Sequence, residues 1–253
     1  MSLEPRGLAM RISRRNLPRA GKVNRADLVR GIAKAWAFAK RLKLDETFAN
    51  PVPLEPRDEY RRMALDENTH YEDVYLTALK GSYYNFLLCD FSFFQFHING
   101  DGETRFAYYP NPFIGASISA MAELTEMREY LEEDVITTEE YLHAVAERRA
   151  CRHPPLIRYE HAPSQYKELS HPCSHFHFGN HGENRWAVKR ELTPVAFSLL
   201  IYRQFYGLQW QDCGEGVAEI PSLDSCLRDE RQNSRTLSDA QFTEEEARHF
   251  HFA

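Results

Sequence analysis

The feature that most constrains this chain is a succession of three aromatic-rich segments divided by two short turns. Tyr83–Cys89, Ser92–Ile98 and Thr104–Tyr109 are crowded with Phe and Tyr, residue types that suit a pleated, half-buried surface. Asn99-Gly-Asp-Gly separates the second from the third, and Asn and Gly reach the left-handed backbone that a tight reversal needs. Asp90-Phe91 joins the first two; Phe where Gly is usual predicts either strain or a longer loop. Pro110 and Pro112 end the third segment, because proline has no N–H to give a ladder. These signals predict an antiparallel meander. Leu156–His161 and Ser174–Phe178 read as two further short strands. The expected fold is α+β, a five-stranded, mainly antiparallel sheet with helices packed on one face.

Helical signals surround these strands. Asn24 caps a helix with Asp27 in its first turn, running to about Leu44 with Leu28, Ile32, Trp36 and Ala39 on one side. Three prolines between Asn50 and Pro56 dictate an extended linker. A short helix over 70–80 should stop at Gly81. Two more are expected over 117–133 and 138–150, the second opened by a Thr137/Glu140 capping box. Thr193-Pro194, a cap followed by proline at the first helical position, starts a helix with Phe197, Leu200, Ile201, Phe205 and Leu208 on one face. Phe176 and Phe178 are expected to be buried against it.

The 253 residues carry a net charge of −6, unevenly spread. Residues 1–24 hold six Lys/Arg against one Glu, and residues 212–253 hold ten Asp/Glu against four Lys/Arg. The organisation read from this is a basic, flexible arm at 1–24, a single α+β domain at 25–210 and an acidic, partly helical C-terminal tail at 211–253. Between those ends, residues 151–190 carry six Lys/Arg against three Glu and six of the eleven histidines. A basic island on an acidic chain is a place for an anion. No apolar run approaches the roughly 18–20 residues of a membrane span, and the first residues lack the apolar stretch of a signal peptide. Five cysteines, odd in number and without a CxxC pair, fit reduced thiols rather than a disulfide framework. The expected location is cytoplasmic, without membrane contact.

The segment from His171 to His177 is the candidate site. Side chains alternate along a strand, so His175 and His177 share a face while Phe176 and Phe178 share the other. That assigns the phenylalanines to a core and the histidines to a cleft or to solvent. On the preceding strand Arg158 and Glu160 share one face, with Tyr159 and His161 opposite. If the two strands are neighbours, one patch gathers an arginine, a glutamate and two or three histidines. His97, on the second strand of the meander, has two placements, in that patch or facing solvent, and solvent is the expected one. No Gly-rich phosphate loop, GxSxG or dinucleotide fingerprint is present, which removes nucleotide-cofactor and α/β-hydrolase readings.

Two blocks carry a family resemblance. Ser92-Phe-Phe-Gln-Phe with Tyr108-Tyr-Pro-Asn-Pro-Phe, and His171-Pro-Cys-Ser-His-Phe-His-Phe-Gly followed by Thr193-Pro and Phe205-Tyr206, resemble an uncharacterised bacterial family, number 2290 among the domains of unknown function. The resemblance spans roughly residues 25–210 and implies no activity, cofactor or catalytic residue. A looser likeness of layout, an Arg-Tyr-acid strand before a His-rich strand, is to small bacterial toxins suspected of cutting RNA.

Three chemistries fit the segment. His175 and His177 can act as general acid and base on a phosphodiester, with Glu160 beside them and Arg158 stabilising the developing charge. His-x-His on a strand is equally a two-ligand unit for a divalent metal such as zinc, with His171, Cys173 or Glu160 as third ligand and water in the open position. In the set His171, His175 and His177, all three ligands come from one segment. The plain alternative is ordinary half-buried histidines bonded to backbone carbonyls. The function expected is an RNA- or nucleotide-directed phosphodiesterase. The competing reading is a non-catalytic binding module or partner subunit that contacts another protein through its acidic tail.

Overall fold

The computed structural model describes residues 24–66, 68–113, 126–148, 155–179, 183–214 and 220–250. The basic arm and most of the helix expected over 117–133 lie outside them, although 126–132 is helical. Among the described residues the chain is α+β, built on a sheet of seven strands rather than five. These are β1 (Asp45–Phe48), β2 (Phe86–Leu88), β3 (Phe93–Ile98), β4 (Thr104–Tyr109), β5 (Ile157–His161), β6 (Ser174–Phe178) and β7 (Trp186–Ala187). They lie side by side in chain order, and every neighbouring pair is antiparallel. The two strands not foreseen, β1 and β7, sit at the edges. They are four and two residues long, too short to show an alternation that sequence reading can use.

The meander forms where its turns require. Ile98 pairs with Thr104 across the Asn99-Gly-Asp-Gly reversal, and Gly102 takes a φ of 82°. The expected strain at the other turn is present, since Phe91 lies in the left-handed region at φ 64°. Its N–H donates to the Leu88 carbonyl at 2.8 Å.

Helices pack on both faces of the sheet, not one. On the first face lie α1 (Arg25–Arg41) and α5 (Pro194–Phe205), with α4 (Thr138–Arg148) between them in the chain. Asn24 caps α1 by accepting from the Asp27 N–H, and Thr193 caps α5 by accepting from the Ala196 N–H at 3.0 Å. Their apolar sides meet Phe94, Phe96, Phe106, Tyr108, Ile157 and Tyr159 in one aromatic-rich core. The two helices approach so closely that a Cβ on Gly31 would come within 2.9 Å of the Pro194 ring. On the second face, α2 (Asp58–Leu65) and α3 (Tyr71–Lys80) bury Tyr60, Val74 and Tyr75 against Leu87, Phe93, Ala107 and Tyr109. The linker prolines deliver α2 to that face, where the Leu54 N–H donates to the Phe96 carbonyl at 2.8 Å. Charged residues are frequent in α2, which hid its packing side from a reading based on apolar spacing.

The acidic C-terminal segment is folded against the rest. After α6 (Gly207–Gly214), α7 (Leu223–Asn233) buries Leu223 in the first core. Arg235–Thr236 then pairs antiparallel with Arg190–Glu191. Finally α8 (Glu244–Phe250) brings Glu246, fully buried, to the Leu169 N–H and the Tyr166 hydroxyl.

One expectation about β6 fails. Phe176 is only half-buried, stacked on Phe197 of α5 with centroids 6.4 Å apart, and Phe178 is 41% exposed. Strand β6 lies next to the two-residue edge strand β7, so its apolar side has no further layer to cover its far end. Phe197→Ala should therefore cost about 3–5 kcal/mol, whereas Phe178→Ala should cost about 1 kcal/mol or less. Urea unfolding midpoints of the two variants check this, and equal losses would contradict the packing described.

Candidate functional site

The candidate site is set by the pairing of β5 with β6. Their register places Arg158 opposite His177 and Glu160 opposite His175, so the face shared by alternation within each strand becomes one patch across both. The register continues into β4 and β3, where Arg105 lies opposite Glu160 and His97 opposite Arg105. A row of polar side chains, His97, Arg105, Glu160 and His175, thus runs across four strands on the face opposite the aromatic core.

The expected assignment of histidines to cleft or solvent is reversed in part. His175 and His177 are buried, at 0% and 3% exposure, more deeply than the phenylalanines that alternate with them. His175 Nδ1 lies 2.7 Å from the Pro172 carbonyl oxygen. A carbonyl only accepts, so this nitrogen carries the proton and the Nε2 lone pair of neutral His175 points away from it. That Nε2 is 3.0 Å from His177 Nε2, which must then donate. The consequence falls on His177 Nδ1, which is buried and has no hydrogen-bond partner among the described residues. Among them, no second group fixes the tautomer of His177.

Burial lowers both imidazoles, His175 to about 4 and His177 to about 3, so both are neutral near pH 7. Glu160 is pulled the other way. Burial favours its neutral form, but Arg105 and Arg158 outweigh this and hold its carboxyl below the usual range. Its nearest ion pair is with Arg105, Nε to Oε1 at 3.5 Å. The donor atoms of Glu160, His175 and His177 lie within 4.8 Å of one another. Two neutral imidazoles and one carboxylate are donor types that divalent metals take.

The convergent set replaces the expected one of His171, His175 and His177. His171 is a neighbour, its ring edge-on to His175 at 4.9 Å between centroids, but Glu160 completes the cluster of donors. His171 lies before β6, bridged to Lys167, so its place in the segment did not bring it to the same point. Cys173 is directed elsewhere, into a small core with Ala187, Leu237 and Phe242. Burial pushes its thiol up to about 11.

Beside the cluster is a cavity of about 310 Å³ under α2, with Arg158 and Glu160 in its wall. Arg105 and His97 line it from the sheet, and Arg57 and Arg61 from α2. Sequence reading did not single out these three arginines. Arg105 was findable, because the hairpin at Asn99–Gly102 fixes it opposite His97. Arg57 and Arg61 were not, since nothing local says that the linker carries α2 over this face. His97, expected in solvent, is half-buried, its Nδ1 donating to the Leu54 carbonyl at 3.0 Å.

His161 makes a second polar chain on the other face. Its Nδ1 lies 2.7 Å from Ser174 Oγ, and its Nε2 lies 3.7 Å from Glu191, which accepts from Arg235. Ser174 is fully buried, so this Ser–His–Glu chain anchors strands rather than presenting a nucleophile.

A family model described as "Uncharacterized conserved protein (DUF2290)" matches residues 47–253. The chain belongs to this family. The match extends through the acidic segment to residue 253, beyond the span on which the resemblance was first read. No curated protein and no solved structure matches the chain. Every site residue above lies inside the DUF2290 match, and among the described residues no helix is long and apolar enough to cross a membrane.

Burial of the imidazoles makes stability depend on pH in a defined direction. His97 is lowered to about 4, first by burial and then by Arg105. Between its unfolded value of about 6.5 and its folded value, the unfolded chain binds the extra proton. Its contribution is complete above pH 6.5 and is lost as pH falls through 4. Urea midpoints measured from pH 7 to pH 4 should fall less steeply in His97→Gln than in the unaltered protein, and identical slopes would refute this.

Proposed function

We propose that Glu160, His175 and His177 hold a divalent metal ion such as zinc, and that the protein is a metal-assisted phosphodiesterase acting on RNA or a nucleotide. The observation that carries this reading is the convergence of two buried, neutral imidazoles and an ionised carboxylate. A metal-free acid–base pair needs one imidazolium near neutral pH, and burial opposes that form at both histidines. Neutral imidazole is the form that binds metal. The Pro172 carbonyl fixes His175 with Nε2 unprotonated. Moving the His177 proton from Nε2 to Nδ1 gives up its hydrogen bond to His175 Nε2, which coordination of one ion by both Nε2 atoms would replace.

The chemistry is hydrolysis. Held by Glu160, His175 and His177, the ion would lower the pKa of a bound water and so supply hydroxide for attack on a phosphodiester. Arg158, beside His177 in the register, supplies a planar fork for the phosphoryl oxygens.

Chelator-stripped protein should take up about one equivalent of zinc per chain, with a rise in Tm. Glu160→Gln and His177→Ala should lose the metal, and His171→Ala should keep it. Turnover of bis(p-nitrophenyl) phosphate should vanish on stripping and return with zinc. Arg158→Lys should slow it on the order of 10²-fold. Unchanged metal content in His177→Ala, measured by elemental analysis, would remove the metal centre from consideration.

A further inference from the structure

The cavity under α2 concentrates positive charge in an acidic chain. Four arginines, Arg57, Arg61, Arg105 and Arg158, line it against two glutamates, Glu103 and Glu160, while the whole chain carries −6. Both glutamates are already engaged. Glu103 accepts from the backbone N–H and hydroxyl of Ser164 and from the Asn99 amide, and Glu160 pairs with Arg105. Arg57 lies over the Tyr83 ring at 4.4 Å, which holds its guanidinium at the cavity wall. Arg61 makes no side-chain hydrogen bond or ion pair among the described residues. Tyr60 and Tyr83, edge to face at 4.9 Å, add an aromatic surface to the same wall.

We propose that this cavity binds a phosphate-bearing ligand of mononucleotide size, with the phosphate between Arg105 and Arg158 and the base toward Tyr60 and Tyr83. The volume of about 310 Å³ is at the lower end of small-molecule sites, and arginine forks match phosphate oxygens in pairs. Neighbouring strands are about 4.8 Å apart, so the register places such a phosphate next to Glu160. The inference rests on the reading of the Glu160 cluster as a phosphodiester-directed centre and gives that centre its substrate class.

The test is calorimetric titration of the full chain, stripped of metal, with AMP, adenosine and inorganic phosphate. AMP should bind with 1:1 stoichiometry, and adenosine on the order of 10²-fold more weakly, because it lacks the charge-assisted contacts. Arg61→Ala and Arg57→Gln, both at exposed positions, should each weaken AMP about tenfold. Arg203→Ala, on α5 and outside the cavity wall, should bind AMP normally. Adenosine binding as tightly as AMP, or unchanged AMP affinity in both arginine variants, would overturn the proposal. A ribo-oligonucleotide binding 10²-fold more tightly than AMP would also overturn it, in favour of a strand as ligand. Absent AMP binding with intact zinc uptake overturns the cavity assignment alone. AMP binding without zinc uptake supports the cavity and removes the metal centre.

Discussion

Backbone pairing between β5 and β6 is the constraint on which the remaining features depend. Antiparallel register at Arg158↔His177 and Glu160↔His175 decides that four side chains from two segments meet on one face. A slip of one residue would turn Arg158 and Glu160 toward the aromatic core and leave the histidines alone. The register is held from the core side, where Tyr159 packs edge to face on Phe176 at 5.6 Å and its hydroxyl reaches Ser174 Oγ at 3.2 Å. Packing on one face therefore fixes chemistry on the other.

The two faces solve burial differently. On the first, α1 and α5 cover rings that need no hydrogen-bond partner, apart from the tyrosine hydroxyls. Tyr108 donates to the Tyr206 hydroxyl at 2.8 Å, and Tyr206 donates to Asp90 at 2.8 Å. On the second, apolar packing under α3 gives way to polar rows under α2 and beyond. There the strands carry ionisable groups that are costly to bury unless paired or neutral. Arg105 and Glu160 pair, and the imidazoles give up their charge. This division leaves a neutral, nitrogen-rich pocket next to a cationic cavity, two environments that suit a metal and an anion respectively.

The acidic C-terminal segment takes part in the fold that supports this face. Glu191 accepts from Arg235 and lies 3.7 Å from His161 at the end of β5. Glu246 caps its own helix through the Thr243 N–H and accepts from the Leu169 N–H in the connection leading to His171. Glu230 engages Lys34 and Thr193. Two of its acids, Glu230 and Glu246, are thus occupied inside the chain.

The sequence by itself determined the elements that rest on local chemistry. The Asn24 and Thr193 caps, the Thr137/Glu140 box, the Gly81 stop and the hairpin at Asn99–Gly102 all act within a few residues. The alternation that puts His175 with His177 and Arg158 with Glu160 is local too. What only the tertiary structure decided depends on which surfaces meet. The edge strands β1 and β7 exist because a neighbour offers them hydrogen bonds, not because two or four residues declare a period. Glu160 joins the donor cluster and His171 does not because the pairing of β5 with β6 decides which side chains meet, which composition does not encode. Exposure of Phe178 follows from the first face running out of layers at the sheet edge. The cationic cavity likewise joins Arg57 and Arg61 to Arg105 and Arg158 across about a hundred residues of chain, a distance over which only packing correlates positions.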